Sequence, residues 1–138
     1  MTAKEYLRQY EYADRRVQRL EAEYAKEMEL IDAVRSTADL DGMPKGNGIS
    51  KPVEEKAIRL ADKAMEIAEA RLDAVQVRQD VFSLINGIDG DEGTVLFERY
   101  VNLHKWEEIC VMLKYSWNGV HKIHRRALTK VEEVLHGV

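Results

Sequence analysis

One cysteine, two prolines and two phenylalanines stand in 138 residues, and each scarcity removes a class of protein. With Cys110 alone, no disulfide forms within the chain, so a small cystine-stapled fold is excluded. Two Phe, two Trp and few Val/Ile runs argue against a sheet, whose strands draw on aromatic and β-branched residues. No apolar run approaches the roughly 20 residues that a membrane span needs. The opening Met1-Thr2-Ala3-Lys4-Glu5 runs straight into charge, unlike a secretory signal. A reducing, cytoplasmic setting is therefore expected. Catalytic signatures are missing too: there is no Ser/His/Asp nucleophile motif, Gly-rich phosphate loop or HExxH. The adjacent acids Glu107-Glu108 and Glu132-Glu133 point about 100° apart on a helix and cannot share a substrate. The chain reads as non-enzymatic, with no cofactor.

Metal sites fare no better. Asp89 and Asp91 begin a calcium-loop spacing, but Gly93 and Thr94 replace the third ligand and the glycine, and Tyr100 stands where a bidentate Glu belongs. Cys110 with His104, or His121 with His124, lacks the four closely spaced ligands of a zinc site. No metal is expected, and Cys110 reads as a buried structural thiol on the apolar stripe of a helix.

What is present is a charged, helix-forming composition: 33% charged and 45% hydrophobic residues, as in an ordinary soluble domain. The net charge of −4 is unevenly spread. Residues 1–100 hold 15 basic and 21 acidic side chains, whereas residues 101–138 hold 6 basic and 4 acidic ones and all four His. Between Lys114 and Val131 there are five basic residues and no acid. That end of an otherwise acidic chain suits an anionic partner.

Helical periodicity organises the rest. Thr2 and Glu5 have the spacing of a capping box, in which each side chain satisfies an orphan N–H. Leu7, Tyr10, Ala13, Val17, Leu20, Tyr24, Met28, Ile31 and Val34 then recur in steps of three and four, predicting one helix from Thr2 to Arg35. Gly42, Pro44, Gly46 and Gly48 predict a flexible loop over 36–50. Ser50 can cap the next helix, with Pro52 in its first turn. On that helix one stripe comprises Val53, Ala57, Leu60, Ala64, Ile67, Ala74, Val81 and Ile85. A second stripe runs beside it through Ile58, Ala61, Met65, Ala68, Leu72, Val75 and Phe82. So wide an apolar face needs more than one neighbour. The first helix, folded back as an antiparallel hairpin about 45–50 Å long, is one; a homodimer through the hairpin is the expected other. A second break is predicted from Asn86 to Gly93.

Three short helices follow. Val95, Leu96, Phe97, Tyr100 and Val101 mark the first, ended by Asn102. Trp106, Ile109, Cys110 and Leu113 mark the second, beginning near Lys105. Ser116 caps the third, whose buried stripe is Val120, Ile123, Ala127, Leu128, Val131, Val134 and Leu135. A turn as short as Lys114-Tyr115 forces a steep crossing, the geometry of a helix-turn-helix. Facing away from the stripe are Trp117, Asn118, His121 and Lys122, in the turns of a recognition helix that reach base edges. Ser116, Arg125, Arg126, Lys130 and Lys105 suit phosphate contacts. His124 is expected at the surface or facing DNA with His121.

These residues resemble a known family. Trp106-Glu107-Glu108-Ile109-Cys110, Leu113-Lys114-Tyr115-Ser116, Val120 and His124-Arg125-Arg126-Ala127-Leu128-Thr129-Lys130-Val131 look like region 4 of the sigma-70 class. The whole chain resembles small phage and prophage regulators of Gram-positive bacteria, of the ArpU and RinA types. Three positions depart from the pattern, and at one of them Trp117 replaces the usual polar or basic residue. Lys114 stands where the turn has Gly, at a cost of about 1 kcal/mol if left-handed. Gly119 inside the helix costs about 1 kcal/mol relative to Ala. The resemblance implies an all-α protein of about five helices, with a hairpin over 1–86 and a helix-turn-helix DNA-binding domain over 87–138. It further implies a phage transcriptional regulator in a bacterial host, binding double-stranded DNA and touching RNA polymerase. No counterpart of the promoter-melting sigma region is present, so it would not act as a complete sigma factor. The other reading is a phage interaction or assembly protein, of the small-terminase or host-inhibitor kind, whose helix-turn-helix contacts protein.

Overall fold

The computed structural model describes residues 1–40 and 51–137, and these are all-α with no strand among them. Helix α1 spans Ala3–Leu7 and α2 spans Gln9–Leu40, with Arg8 in helical conformation between them. Helix α3 covers Lys51–Asn86, α4 Gly90–Leu96, α5 Trp106–Leu113 and α6 Trp117–His136. A π-helical turn, Phe97–Val101, continues α4. The capping box forms as expected, with Thr2 Oγ1 accepting from Glu5 N and Thr2 N donating to the Glu5 carboxylate. Helix α2 runs five residues past the expected end at Arg35, because the first breaker in the sequence is Gly42. The rest of the expected loop, with Ser50 as a cap, lies outside the described residues; Pro52 does fall in the first turn of α3.

Two compact units make up the chain: residues 15–72, and residues 1–14 with 73–138. That division differs from a cut at 86/87, since the first turns of the α1–α2 stretch and the last turns of α3 belong with the C-terminal helices.

In the first unit α2 and α3 run antiparallel, as the ion pairs Arg71 with Glu21 and Lys63 with Glu27 record; a longer contact joins Arg16 to Glu66. Exposed pairs of this kind contribute at most about 1 kcal/mol each and serve mainly to set register. The apolar seam is thin, with Val17, Ile31, Leu60, Ile67 and Ala70 buried. The second stripe of α3 finds no cover there, and Ile58, Met65 and Leu72 are all more than 60% exposed.

The second unit holds two apolar clusters. One joins α1, the end of α3, α4, the π turn and α6 through Leu7, Val81, Ile85, Leu96, Tyr100, Ala127 and Val131. The other joins α4, α5 and α6 through Val95, Ile109, Val120 and Ile123, with Trp106, Cys110 and Leu113 packed on it. Each fully buried Leu, Ile or Val adds about 1.5–3 kcal/mol. Cys110 is half-buried against this cluster. Helix α6 belongs to both clusters, and Ala3 N fastens α1 to it by donating to Glu132 Oε1 at 2.6 Å.

The break expected from Asn86 to Gly93 is shorter than its composition suggested. Helix α4 already starts at Gly90, with Asp91 and Glu92 in its first turn, where the helix dipole favours acids. Position 93 in α4 requires glycine for a steric reason: a Cβ there would lie 2.0 Å from the Ile88 carbonyl oxygen. Neither backbone can retreat without unpacking Ile88 from the core. Gly93→Ala should therefore cost about 1–3 kcal/mol in urea denaturation; an unchanged midpoint would contradict this packing.

Candidate nucleic-acid interface

Three local features aim α6. Lys114 ends α5 in the left-handed conformation, at φ 59° and ψ 39°, so the strain expected from a non-glycine residue is present. Tyr115 then donates from its hydroxyl to Asp91 Oδ2 at 2.5 Å, tying the turn to the first turn of α4. That bond to a carboxylate is the main cause holding the Tyr115 hydroxyl above its ordinary pKa. Ser116 caps α6, its Oγ accepting from Gly119 N at 3.0 Å. A Cβ on residue 119 would approach that same Oγ to 3.0 Å, which gives Gly119 a local reason despite its helical cost.

From this start the amphipathic pattern of α6 sorts its side chains. Val120, Ile123, His124, Ala127 and Val131 are buried, while Trp117, Asn118, Lys122, Arg125, Arg126 and Lys130 are exposed. Trp117, Asn118, His121, Lys122 and Arg125 line one surface recess of about 460 Å³. The four base-contact candidates thus share a surface with one phosphate-contact candidate. Ser116 is spent on the cap, and Lys105, at the N-terminal cap position of α5, is exposed outside the recess. Arg126 and Lys130 converge on Glu92 Oε1, at 3.8 and 3.6 Å. The Glu92 carboxyl is held below its usual pKa, first by backbone N–H donation at the start of α4 and then by these two cations. A polyanion would have to compete with Glu92 for them.

The histidines divide. His121 sits between two indoles, with ring centroids 4.6 Å from Trp106 and 4.5 Å from Trp117, and its Nε2 is enclosed with no hydrogen-bond partner. His124, expected at the surface, is buried instead. Its Nε2 lies 2.7 Å from Tyr100 Oη, and Trp106 packs edge-on at 4.7 Å. The spacing that placed it beside Arg125 also fits the edge of the apolar stripe, and its partner is 24 residues away on the π turn. Sequence reading also passed over a cavity behind His121, lined by Lys4, Arg8, Glu11, Arg99, Tyr100 and Trp106 together with both histidines. Lys4, Arg8 and Glu11, spaced along one helical face, were its only legible part.

Comparison with protein-family models, with curated proteins and with solved structures finds no match to this chain.

Burial drives the His124 pKa down to about 4, helped by the nearby charges of Lys4, His121, Arg99 and Arg125. Burial likewise pushes the Tyr100 hydroxyl up to about 12. The pair is therefore neutral at physiological pH. An unfolded chain protonates this imidazole near 6.5, so between 6.5 and about 4 the unfolded state holds the extra proton. The stabilising effect of a neutral His124 is complete above 6.5 and declines as pH falls through that window. The melting temperature should drop between pH 7 and pH 5, with a shallower drop in His124→Gln. Equal slopes in the two proteins would contradict this assignment.

Proposed function

We propose that this chain is a non-enzymatic DNA-binding regulator of the phage sigma-region-4-like kind, with α5 and α6 acting as its helix-turn-helix. The observation that carries the reading is the face of α6. Trp117, Asn118, Lys122 and Arg125 are exposed together at its N-terminal half, backed by a buried stripe, with no acid from Trp117 to Val131. Asn118 and Lys122 suit purine edges in the major groove; Arg125 suits the phosphate backbone, which supplies affinity without sequence choice. Arg126 and Lys130 would add phosphate contacts on leaving Glu92. In this reading the chain regulates transcription in the cytoplasm of a bacterial host, with RNA polymerase as a second partner.

The exposed stripe of α3 favours a self-assembly role alongside. The unit of residues 15–72 buries few large apolar side chains and leaves Met28, Leu30, Val34, Ile58, Met65 and Leu72 on its surface. So thin a two-helix seam is weak alone, and a second copy of the chain would cover the excess. Sedimentation should then give the mass of two chains, and one chain at all concentrations would remove the dimer.

Fluorescence anisotropy on promoter and random duplexes across a salt series tests the central reading. Binding should weaken steeply with salt, and Lys122→Ala/Arg125→Ala should lower the logarithmic salt slope by about 1–2. If no duplex binds at low salt, the helix-turn-helix contacts protein instead, as in the assembly reading.

A further inference from the structure

Helix α1, the start of α2, the π turn, α5 and α6 line a partly open cavity of about 220 Å³ within the second unit. It is smaller than the roughly 300–1,000 Å³ typical of drug-sized ligands. Three cations line it, Lys4, Arg8 and Arg99, against one acid, Glu11. Glu11 answers Arg8, with Arg8 Nε 3.3 Å from Glu11 Oε2. Arg99 donates through Nη1 to the His104 carbonyl at 3.0 Å and lies over the Trp106 ring, which holds its guanidinium in place. Lys4 has no acidic partner among the described residues. The lining therefore carries two positive charges in excess.

One imidazole points the same way. His121, whose enclosed Nε2 has no partner, lines the cavity, and a buried nitrogen left without a partner keeps its desolvation cost uncompensated. An acceptor oxygen in the cavity would relieve that cost. The π turn, a distortion that recurs at functional sites, supplies both Arg99 and Tyr100.

We propose that this cavity is a binding site for a small phosphate monoester. Lys4, Arg8 and Arg99 would hold the dianion and His121 would donate to one of its oxygens. The excess of two charges suits a dianionic monoester better than a phosphodiester, which carries one negative charge. The site is separate from the exposed face of α6, though His121 borders both.

The test uses the full chain carrying Trp117→Phe, which leaves the Trp106 indole N–H as the only indole signal in a proton–nitrogen spectrum. Inorganic phosphate at pH 8 should shift that signal saturably, against sodium chloride of matched ionic strength. Lys4→Gln should weaken binding about tenfold, as expected on losing one charge-assisted contact, with the melting temperature unchanged when phosphate is absent. Dimethyl phosphate, a mimic of the nucleic-acid backbone, should bind at least about tenfold more weakly, having one charge fewer. No saturable shift, or an equal response in Lys4→Gln, would overturn the proposal. Equally tight dimethyl phosphate would overturn it as well, and would assign the cavity to a backbone phosphate. Neither arm contains DNA, so failure of the chain to bind duplexes would leave this result standing.

Discussion

The hydrogen bond between Tyr100 Oη and His124 Nε2 sits where the apolar face of α6 changes partners. Above it Val120 and Ile123 pack with α5; below it Ala127 and Val131 pack with α1 and α3. A buried imidazole without a partner would cost on the order of 1–3 kcal/mol and loosen both clusters. With Tyr100 as partner it is tolerated in neutral form, and α6 can bridge two clusters without a break. The orientation of every exposed α6 side chain follows from that burial. Turning the helix by one position would bury Lys122 or Arg125 and expose Ile123.

The geography of charge follows from the same helix. The chain is acidic overall, yet α6 presents cations outward, and the nearest acid that engages them, Glu92, belongs to the first turn of α4. Glu92 is stabilised there by backbone N–H groups, so its grip on Arg126 and Lys130 is incidental to its place at a helix start. Surface pairs at 3.6–3.8 Å are weak and readily exchanged for phosphate. The cations behind α6 differ in kind, because Arg99 is fixed by a carbonyl and an indole.

Much of the fold was legible in local patterns. The Thr2–Glu5 box, the Ser116 cap and the left-handed Lys114 each express a short-range rule, and each holds; of the α6 stripe Val120, Ile123, Ala127 and Val131 are buried and Leu128 and Leu135 half-buried, whereas Val134, expected inside, is exposed. What local rules missed depends on distance in space. His124 beside Arg125 reads as surface until Tyr100, 24 residues away, comes within 2.7 Å. Gly93 reads as a loop residue until the Ile88 carbonyl is seen to forbid a Cβ. The acids and glycines from Asp89 onward signal a turn by composition, but the same acids suit a helix N-terminus, and tertiary packing chose the helix. The cavity escaped notice because its cations come from both ends of the chain, where no spacing rule joins Lys4 to Arg99.

The most direct test of the account is a map of backbone amide shifts as a duplex is titrated into the protein. If α6 is the DNA-reading element, the largest shifts fall on Trp117 to Arg125, with residues 15–35 and 53–72 little changed. Shifts concentrated on the exposed stripe of α3, with α6 unmoved, would contradict it.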